Sequence, residues 1–314
     1  MNQNLVNYKV SILIPSYNNS KYIRLSIESA LSQVYENLEV IVSDDNSSDD
    51  SLNIIKSIYD KRYKFFINKE NIGRVKNYRK LLFNYATGDY VLMLDGDDFL
   101  TDKYFINDAI KLIKYNNIAI VSAKIAILKK GYYYYSKQPK YISTNGLNIL
   151  RKMPSSEFNL THMSTLYNRN LAMYLDFYRS DTISSDWESI YRIILQGNVI
   201  FLNKVIGVWR IHDSNISSIV SITDHLKNLA IWIPIYSDAY YSGMNKFQCE
   251  YRRNLCILDS IISSATVISR GRIPKNTFIF IIKSFYLYKK SLLLLIISPI
   301  KMIKLFLILF EFYI

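Results

Sequence analysis

Asp95-Gly96-Asp97-Asp98 places three carboxylates directly after the apolar run Tyr90 to Leu94. A short buried strand ending in such a cluster collects negative charge where a sheet meets solvent. The charges repel one another, and burying them is costly unless a cation or hydrogen-bond donors compensate. Carboxylate oxygens suit a hard divalent ion, Mg2+ or Mn2+, which keeps some waters and takes phosphate oxygens as its other ligands. An acidic turn capping the helix after Thr101-Asp102 would use the same residues without chemistry, so the neighbours decide.

The elements that position this cluster alternate. Val10 to Ile14 reads as an apolar strand ending at Pro15. Ile23, Ile27, Ala30, Leu31 and Val34 then mark one face of a helix opened by Asn19-Ser20. Leu38 to Val42 is the second strand, and Leu52, Ile55, Ile58 and Tyr59 give the next helix its apolar side. Tyr63 to Ile67 is the third strand; Val75, Tyr78, Leu81, Leu82 and Tyr85 form a helical stripe before the turn Ala86-Thr87-Gly88-Asp89. A helix at Phe105 to Ile113 and a strand at Ile118 to Val121 follow the acidic cluster. Strands joined by helical crossovers build a parallel sheet, and ligands collect at its carboxyl ends. The expected class is α/β, with Pro15-Ser16-Tyr17-Asn18, Asp44-Asp45 and Asp95 to Asp98 on one rim.

Further along, Tyr132 to Tyr135 reads as an edge strand, and Thr161 to Leu166 alternates as a strand carrying His162-Met163-Ser164. Asp186 to Leu195 is helical, Val199 to Ile211 is strand, turn, strand, and the chain beyond Ser217 is helical. Half of the 314 residues are hydrophobic, including 27 Tyr and 15 Phe, which excludes a disordered chain. A net charge of +13 points to an anionic partner. Cys249 and Cys256, two helical turns apart, read as core thiols with neither a disulfide scaffold nor a zinc site. Met1 to Asn4 lack the pattern of a secretion signal, and a cytoplasmic protein is expected. From Thr277 to Ile314 the chain is apolar but interrupted by Lys283, Lys289, Lys290, Lys301 and Lys304. No run there reaches the roughly 20 apolar residues of a spanning helix, so it suits an amphipathic segment on an anionic membrane surface, or a hairpin packed on the protein itself.

Together the motifs resemble family 2 glycosyltransferases from Lys9 to about Ser217. The resemblance rests on Val10 to Asn18, Val42 to Asp49, Asn71-Ile72-Gly73, Gly88-Asp89-Tyr90, Asp95 to Asp98, Ser185-Asp186-Trp187-Glu188 and Arg210-Ile211-His212. It implies a GT-A fold with a Rossmann-like nucleotide half at about 8–125, an acceptor half at about 126–217 and a helical region at 218–314. It also implies inverting transfer from a nucleotide-diphosphate sugar, commonly a UDP-sugar, to a saccharide or lipid-linked acceptor in surface-polysaccharide assembly. On that basis Pro15, Ser16, Tyr17, Asn18, Asp44, Asp45, Asp95 and Gly96 line the nucleotide pocket, with Asp45 on the base and Asp95 on the ribose side. Asp97, with Asp95 and His212, holds the metal, while Asp98 either joins them or caps the next helix. Arg74 and Lys76 face pyrophosphate, and Arg210 reaches the diphosphate. Asp186 is the general base, Glu188 its alternative and Asp181 a distant third. Trp187 stacks on a sugar ring or packs in the core.

Other classes fit less well. A nucleotidyltransferase needs a glycine-rich phosphate loop after the first strand, and Pro15 to Ser20 contains no glycine. A glycoside hydrolase would also use paired carboxylates, but a basic chain with a diphosphate-type metal motif argues against it. A non-enzymatic basic membrane- or nucleic-acid-binding module remains, yet no nucleic-acid-binding signature accompanies the charge.

Overall fold

A computed structural model of the chain describes residues 7–113, 117–137, 139, 143–155, 157–158, 160–212, 221–269, 274–296 and 298–310. Met1 to Asn4 and the boundary expected at residue 217 lie outside them. The chain divides into two compact units. One comprises Met1–Gly146, Ser156–Asp181 and Ser185–His212; the other comprises Leu147–Ser155, Thr182–Ser184 and Asp213–Ile314.

In the first unit β1 (Val10–Ser16), β2 (Leu38–Asp44), β3 (Tyr63–Ile67) and β4 (Tyr90–Met93) alternate with helices. These are α1 (Ile23–Leu31), α2 (Ser51–Lys56) and α3 (Arg74–Lys80), the last continuing as a π turn at Leu81–Tyr85. Then come β5 (Phe99–Leu100), α4 (Phe105–Ile113), β6 (Ile118–Lys129), β7 (Tyr132–Tyr135) and β8 (Ser143–Asn145); α5 (Gly146–Lys152) follows, and from Leu147 onward it belongs to the second unit. The series closes with β9 (Thr165–Asn168), α6 (Arg169–Tyr174), α7 (Ser185–Ile193) and β10 (Asn198–Ile211). The sheet runs β3-β2-β1-β4-β9-β6-β10-β5, with β7 on β6 and β8 on β10. β1 to β4 are mutually parallel, as the α/β reading expects. β9 is antiparallel to both β4 and β6, and β6 is parallel to β10. Two reversals restore direction, so the carboxyl ends of β1, β2, β4, β6 and β10 share one rim.

Every residue of β1, β2 and β4 is buried, as befits parallel strands covered on both faces. Within this apolar layer Glu39 on β2 is 3 % exposed. It accepts hydrogen bonds from the Ser11 hydroxyl and from the Thr87 amide and hydroxyl, and pairs with Lys9 and Lys64. Burial pushes its carboxyl up, but the Ser11, Thr87 and Lys9 bonds outweigh burial and hold it at about 2. The folded value lies below the unfolded one. The stabilisation is therefore complete above an unfolded value of about 4.5 and disappears as pH falls through about 2. Glu39→Gln is expected to lower stability by roughly 3 kcal/mol at neutral pH, with the deficit closing across that interval in chemical denaturation series.

Three local expectations change. Val34 lies beyond α1 and is exposed, and Tyr59 lies beyond α2 at 92 % exposure, because both helices end before a further apolar turn can pack. Thr161 to Leu166 is not one strand: His162–Ser164 forms a 3-10 turn, held by Ser164 and Thr165 bonding back to the Thr161 carbonyl, and β9 starts at Thr165. Val199 to Ile211 is a single strand whose polar Asn203-Lys204 pair marks a bulge rather than a turn, with further register shifts around it.

The second unit is helical: α8 (Ile222–Asn228), α9 (Trp232–Tyr241), α10 (Lys246–Ser269), α11 (Pro274–Leu287), α12 (Lys289–Ile296) and α13 (Pro299–Phe310). The long α10 carries the buried Cys256, whose thiol burial pushes up to about 12, and the buried Cys249. The last three helices lay one side on α10 through buried residues such as Phe280, Ser291, Leu295 and Leu305. Lys290 pairs with Glu250 and Lys301 with Asp259, so two of the five interrupting lysines serve the unit's own packing. Among the described residues no helix is long and apolar enough to cross a membrane.

Candidate functional site

The rim of the first unit is tied together before any ligand arrives. Asn18, at φ 54°, donates its amide to Ser47 Oγ at 2.9 Å and accepts from the Ser48 amide at 2.8 Å. Asp44 accepts from both the amide and hydroxyl of Ser47, so it shapes the strand-end turn. Asp45 Oδ1 accepts from Asn68 Nδ2 and the Ile72 amide, and Oδ2 from the Gly73 amide. Its carboxylate thereby fixes the Asn71-Ile72-Gly73 turn. Tyr17 stands half exposed, whereas Pro15 and Ser16 are buried.

Gly96 explains how the acidic loop reaches this turn. Its amide donates to the Pro15 carbonyl at 3.1 Å, and an added Cβ would sit 2.7 Å from Asn19 Nδ2 and 2.9 Å from the Pro15 oxygen. No side chain fits between the two loops.

The three carboxylates meet different surroundings. The Tyr78 hydroxyl donates to Asp95 Oδ1 at 2.7 Å, and His162 Nε2–H donates to Oδ2 at 3.0 Å. Burial pushes Asp95 up, but His162, Tyr78 and Arg74 outweigh it and hold the carboxyl below its usual range. Asp97 Oδ2 accepts from His212 Nε2 at 3.0 Å, yet burial, with Asp95 adding repulsion, leaves its carboxyl raised. Asp98, 2 % exposed, accepts from the Arg210 amide at 2.8 Å. Burial, then Asp97 and Asp95, push it well above the ordinary range. Two raised carboxyls around a third that stays ionised make a locus that a cation would relieve.

Arg210 leaves β10 with its guanidinium 4.3 Å from the Phe99 ring centre and 5.1 Å from that of Tyr22, and it donates to the Asp97 carbonyl. Tyr22 in turn stacks on His212 at 5.1 Å. On the other flank Arg74 lies 5.4 Å over the Tyr78 ring. Burial lowers the Arg74 guanidinium, but Tyr78, Asp95 and Asp186 raise it further. Asp186 opens α7 and is raised by burial, against the pull of His162 and Arg74. Arg74 and His162 thus stand within electrostatic reach of both Asp95 and Asp186.

Several expected residues fall outside this group. Glu188 is fully buried on α7 and pairs with Arg179 at 2.8 Å and Arg192 at 3.4 Å, a structural ion pair inside the unit. Lys76 is exposed and lines a cavity with Arg79, Lys80, Phe83 and Asn84, because one helical position beyond Val75 turns it from the cluster. Asp181 is exposed. Trp187 packs edge-on against Tyr191 at 6.1 Å. The apolar stripe concealed Tyr78; the signal was a hydroxyl on a fully buried face, which needs a partner.

A divalent ion can be judged against these donors. Among the described residues no group of three His, Cys, Asp or Glu side chains forms a metal cage. Both Asp95 oxygens are already bonded to Tyr78 and His162, which removes it as a ready ligand. Asp97 Oδ2 and His212 Nε2, 3.0 Å apart, match neighbouring vertices of an octahedron, which lie roughly 3 Å apart for bonds near 2.1 Å. The pair fits a Mg2+ or Mn2+ ion that takes its remaining ligands from water and phosphate.

Comparison with known proteins agrees with this architecture. Over 90 residues the chain is 41% identical to the Escherichia coli UDP-Glc:alpha-D-GlcNAc-diphosphoundecaprenol beta-1,3-glucosyltransferase WfaP, covering 29% of this chain and 36% of that one. Staphylococcus aureus TarS 1-349 in complex with UDP-GlcNAc superposes with a TM-score of 0.66 at 18% identity, over 90% of this chain and 91% of that chain. The Pyrobaculum calidifontis mannosyltransferase PcManGT, in complex with GDP-Man and Mn2+, superposes at 0.57 with 16% identity, over 96% and 87%. The fold is therefore the GT-A fold. The chain spans about a third of the length of the curated relatives it matches. The model of glycosyl transferase family 2 matches residues 11–175, more than half of the chain, and to that family the chain belongs.

Proposed function

We propose that the chain transfers a sugar, with inversion, from a nucleotide-diphosphate donor to a hydroxyl of a saccharide or lipid-linked saccharide. The observation that carries this reading is the convergence of Asp97, His212 and Arg210 on one flank of the acidic loop and Arg74 and Asp186 on the other. Arg210 holds the diphosphate by charge and by its planar fork. A divalent ion bound at Asp97 and His212 would neutralise charge on that leaving group. Asp186 takes the acceptor proton; its raised carboxyl and its separation from Asp97 in sequence and surroundings suit a base on the opposite face of the sugar. Asp95, kept ionised by His162 and Tyr78, orients the donor. The nucleotide lies against Tyr17 and the Asp45 turn. UDP is favoured as the nucleotide because WfaP and TarS are named with UDP-sugars.

The reading is tested by screening UDP-, GDP- and dTDP-sugars for metal-dependent hydrolysis and transfer. Hydrolysis of a nucleotide sugar that needs Mg2+ or Mn2+ is expected; inertness towards all donors, without nucleotide-induced thermal stabilisation, would overturn it.

The same chain is proposed to work on the cytoplasmic face of an anionic membrane, in surface-polysaccharide assembly. Phe278, Ile282, Tyr286, Leu293, Ile300 and Ile303 are each at least 50 % exposed on α11 to α13, with Lys283, Lys289 and Lys304 exposed among them. Such a mixture suits an interfacial rather than a spanning segment. Replacing Phe278, Leu293 and Ile303 by serine is expected to cut binding to phosphatidylglycerol vesicles, read by sedimentation, by at least about tenfold, since each buried CH2 contributes about 0.8 kcal/mol and the loss of two already exceeds that factor. Unchanged sedimentation would remove the membrane role while leaving the buried side on α10 intact.

A further inference from the structure

The β6–β7 hairpin carries four consecutive tyrosines, Tyr132 to Tyr135, each between 53 % and 71 % exposed. Its turn is tight: Lys130 and Gly131 both have positive φ, at 50° and 82°, the geometry that matches strand twist in a two-residue hairpin. The strand is therefore rigidly placed, and its register says where each ring goes. Phe99, Val208, Ala126 and Tyr135 occupy one cross-strand row, and Arg210, Leu128 and Tyr133 the next. Residues two apart on a strand share a face, so Tyr133 and Tyr135 stand on the face of Phe99 and Arg210. Tyr132 and Tyr134 stand on the other, with Ile127 and Trp209, which pack against the core. β7 also lies at the carboxyl end of β6, on the rim shared by the acidic loop and Arg210.

We infer that Tyr133 and Tyr135 form a platform for the acceptor saccharide, one or two sugar rings beyond the reacting hydroxyl. The inference rests on the transferase reading. Tyrosine offers a rigid apolar face for the C–H side of a pyranose and a hydroxyl for its rim, at little cost in side-chain freedom. Two such rings, exposed beside a diphosphate-binding arginine, suit a neutral or weakly polar sugar chain better than a second phosphate.

The test titrates cellobiose, maltose and chitobiose into the full chain with UDP and Mn2+ present, following saturation-transfer NMR. Saturation transfer to at least one disaccharide is expected. Tyr133→Ala/Tyr135→Ala should weaken that binding by about tenfold, a loss confined to the saccharide and absent from UDP affinity. Tyr133→Phe/Tyr135→Phe should restore most of it. Tyr132→Ala/Tyr134→Ala, on the opposite face, should bind as the wild type does. Equal loss from both alanine pairs, or no transfer to any disaccharide, overturns the platform. So does sedimentation showing that the wild type dimerises through β7 and that either alanine pair abolishes the dimer. Nucleotide-sugar hydrolysis is measured alongside: if it proceeds while the saccharide arm fails, only the platform falls, and if it is absent, the transferase reading itself fails.

Discussion

Asp186→Asn is expected to lower sugar transfer by about a thousandfold or more while nucleotide-sugar affinity stays within about twofold, because a positioned base contributes roughly 10²–10⁴ in rate. The amide keeps the shape of the side chain and its bond from the Trp187 amide, so the α7 terminus should hold. What disappears is the capacity to take a proton. In the wild type the carboxyl is raised by burial, so the active, ionised form is lost at higher pH than for an ordinary aspartate. The acid limb of transfer should therefore lie above the usual carboxylate range and vanish with the variant. Near-normal turnover in stopped assays would remove Asp186 as base. Glu188 could not replace it without abandoning Arg179 and Arg192, at a cost of several kcal/mol for a buried pair.

Asp97→Asn is the second large effect. Replacing this carboxylate by an amide leaves His212 Nε2 a neutral oxygen to bond, so the local fold should survive. Removing the charged ligand should weaken Mn2+ binding by at least about tenfold and cut metal-dependent transfer by about 10²–10³, since electrophilic stabilisation of the leaving group amounts to several kcal/mol. Titration calorimetry with Mn2+ and UDP reads the first quantity, and initial rates at saturating donor read the second. Transfer that persists at wild-type level, or is equally fast in chelator, would show that Asp97 has no part in holding a metal. Asp95→Asn should act differently. Its oxygens serve Tyr78 and His162, so the expected loss is in donor orientation rather than in metal affinity.

The sequence disclosed the rim because physics leaves few alternatives there. Apolar runs closed by Pro15, Asp44 and Asp95 can only be buried strands with polar ends, and the sheet has them side by side. The second half was harder to read. β10 looked interrupted at Asn203-Lys204, yet a bulge absorbs two polar residues without ending a strand. His162 alternated like a strand residue, although its neighbourhood is a 3-10 turn stabilised by Thr161. Long-range partners such as Tyr78 with Asp95, or Glu188 with two arginines, leave no spacing signature, because the fold rather than the chain brings them together.

The bulges of β10 make the chemistry depend on parity. As aligned, Arg210 shares a face with Phe99 and Val208, while Trp209 and Ile211 take the reverse side. Excising one residue between Leu202 and Val208 would turn every later side chain to the opposite face, setting an isoleucine where Arg210 stands and driving a guanidinium into hydrocarbon. Length changes in that segment should therefore survive in steps of two, with odd steps eliminated.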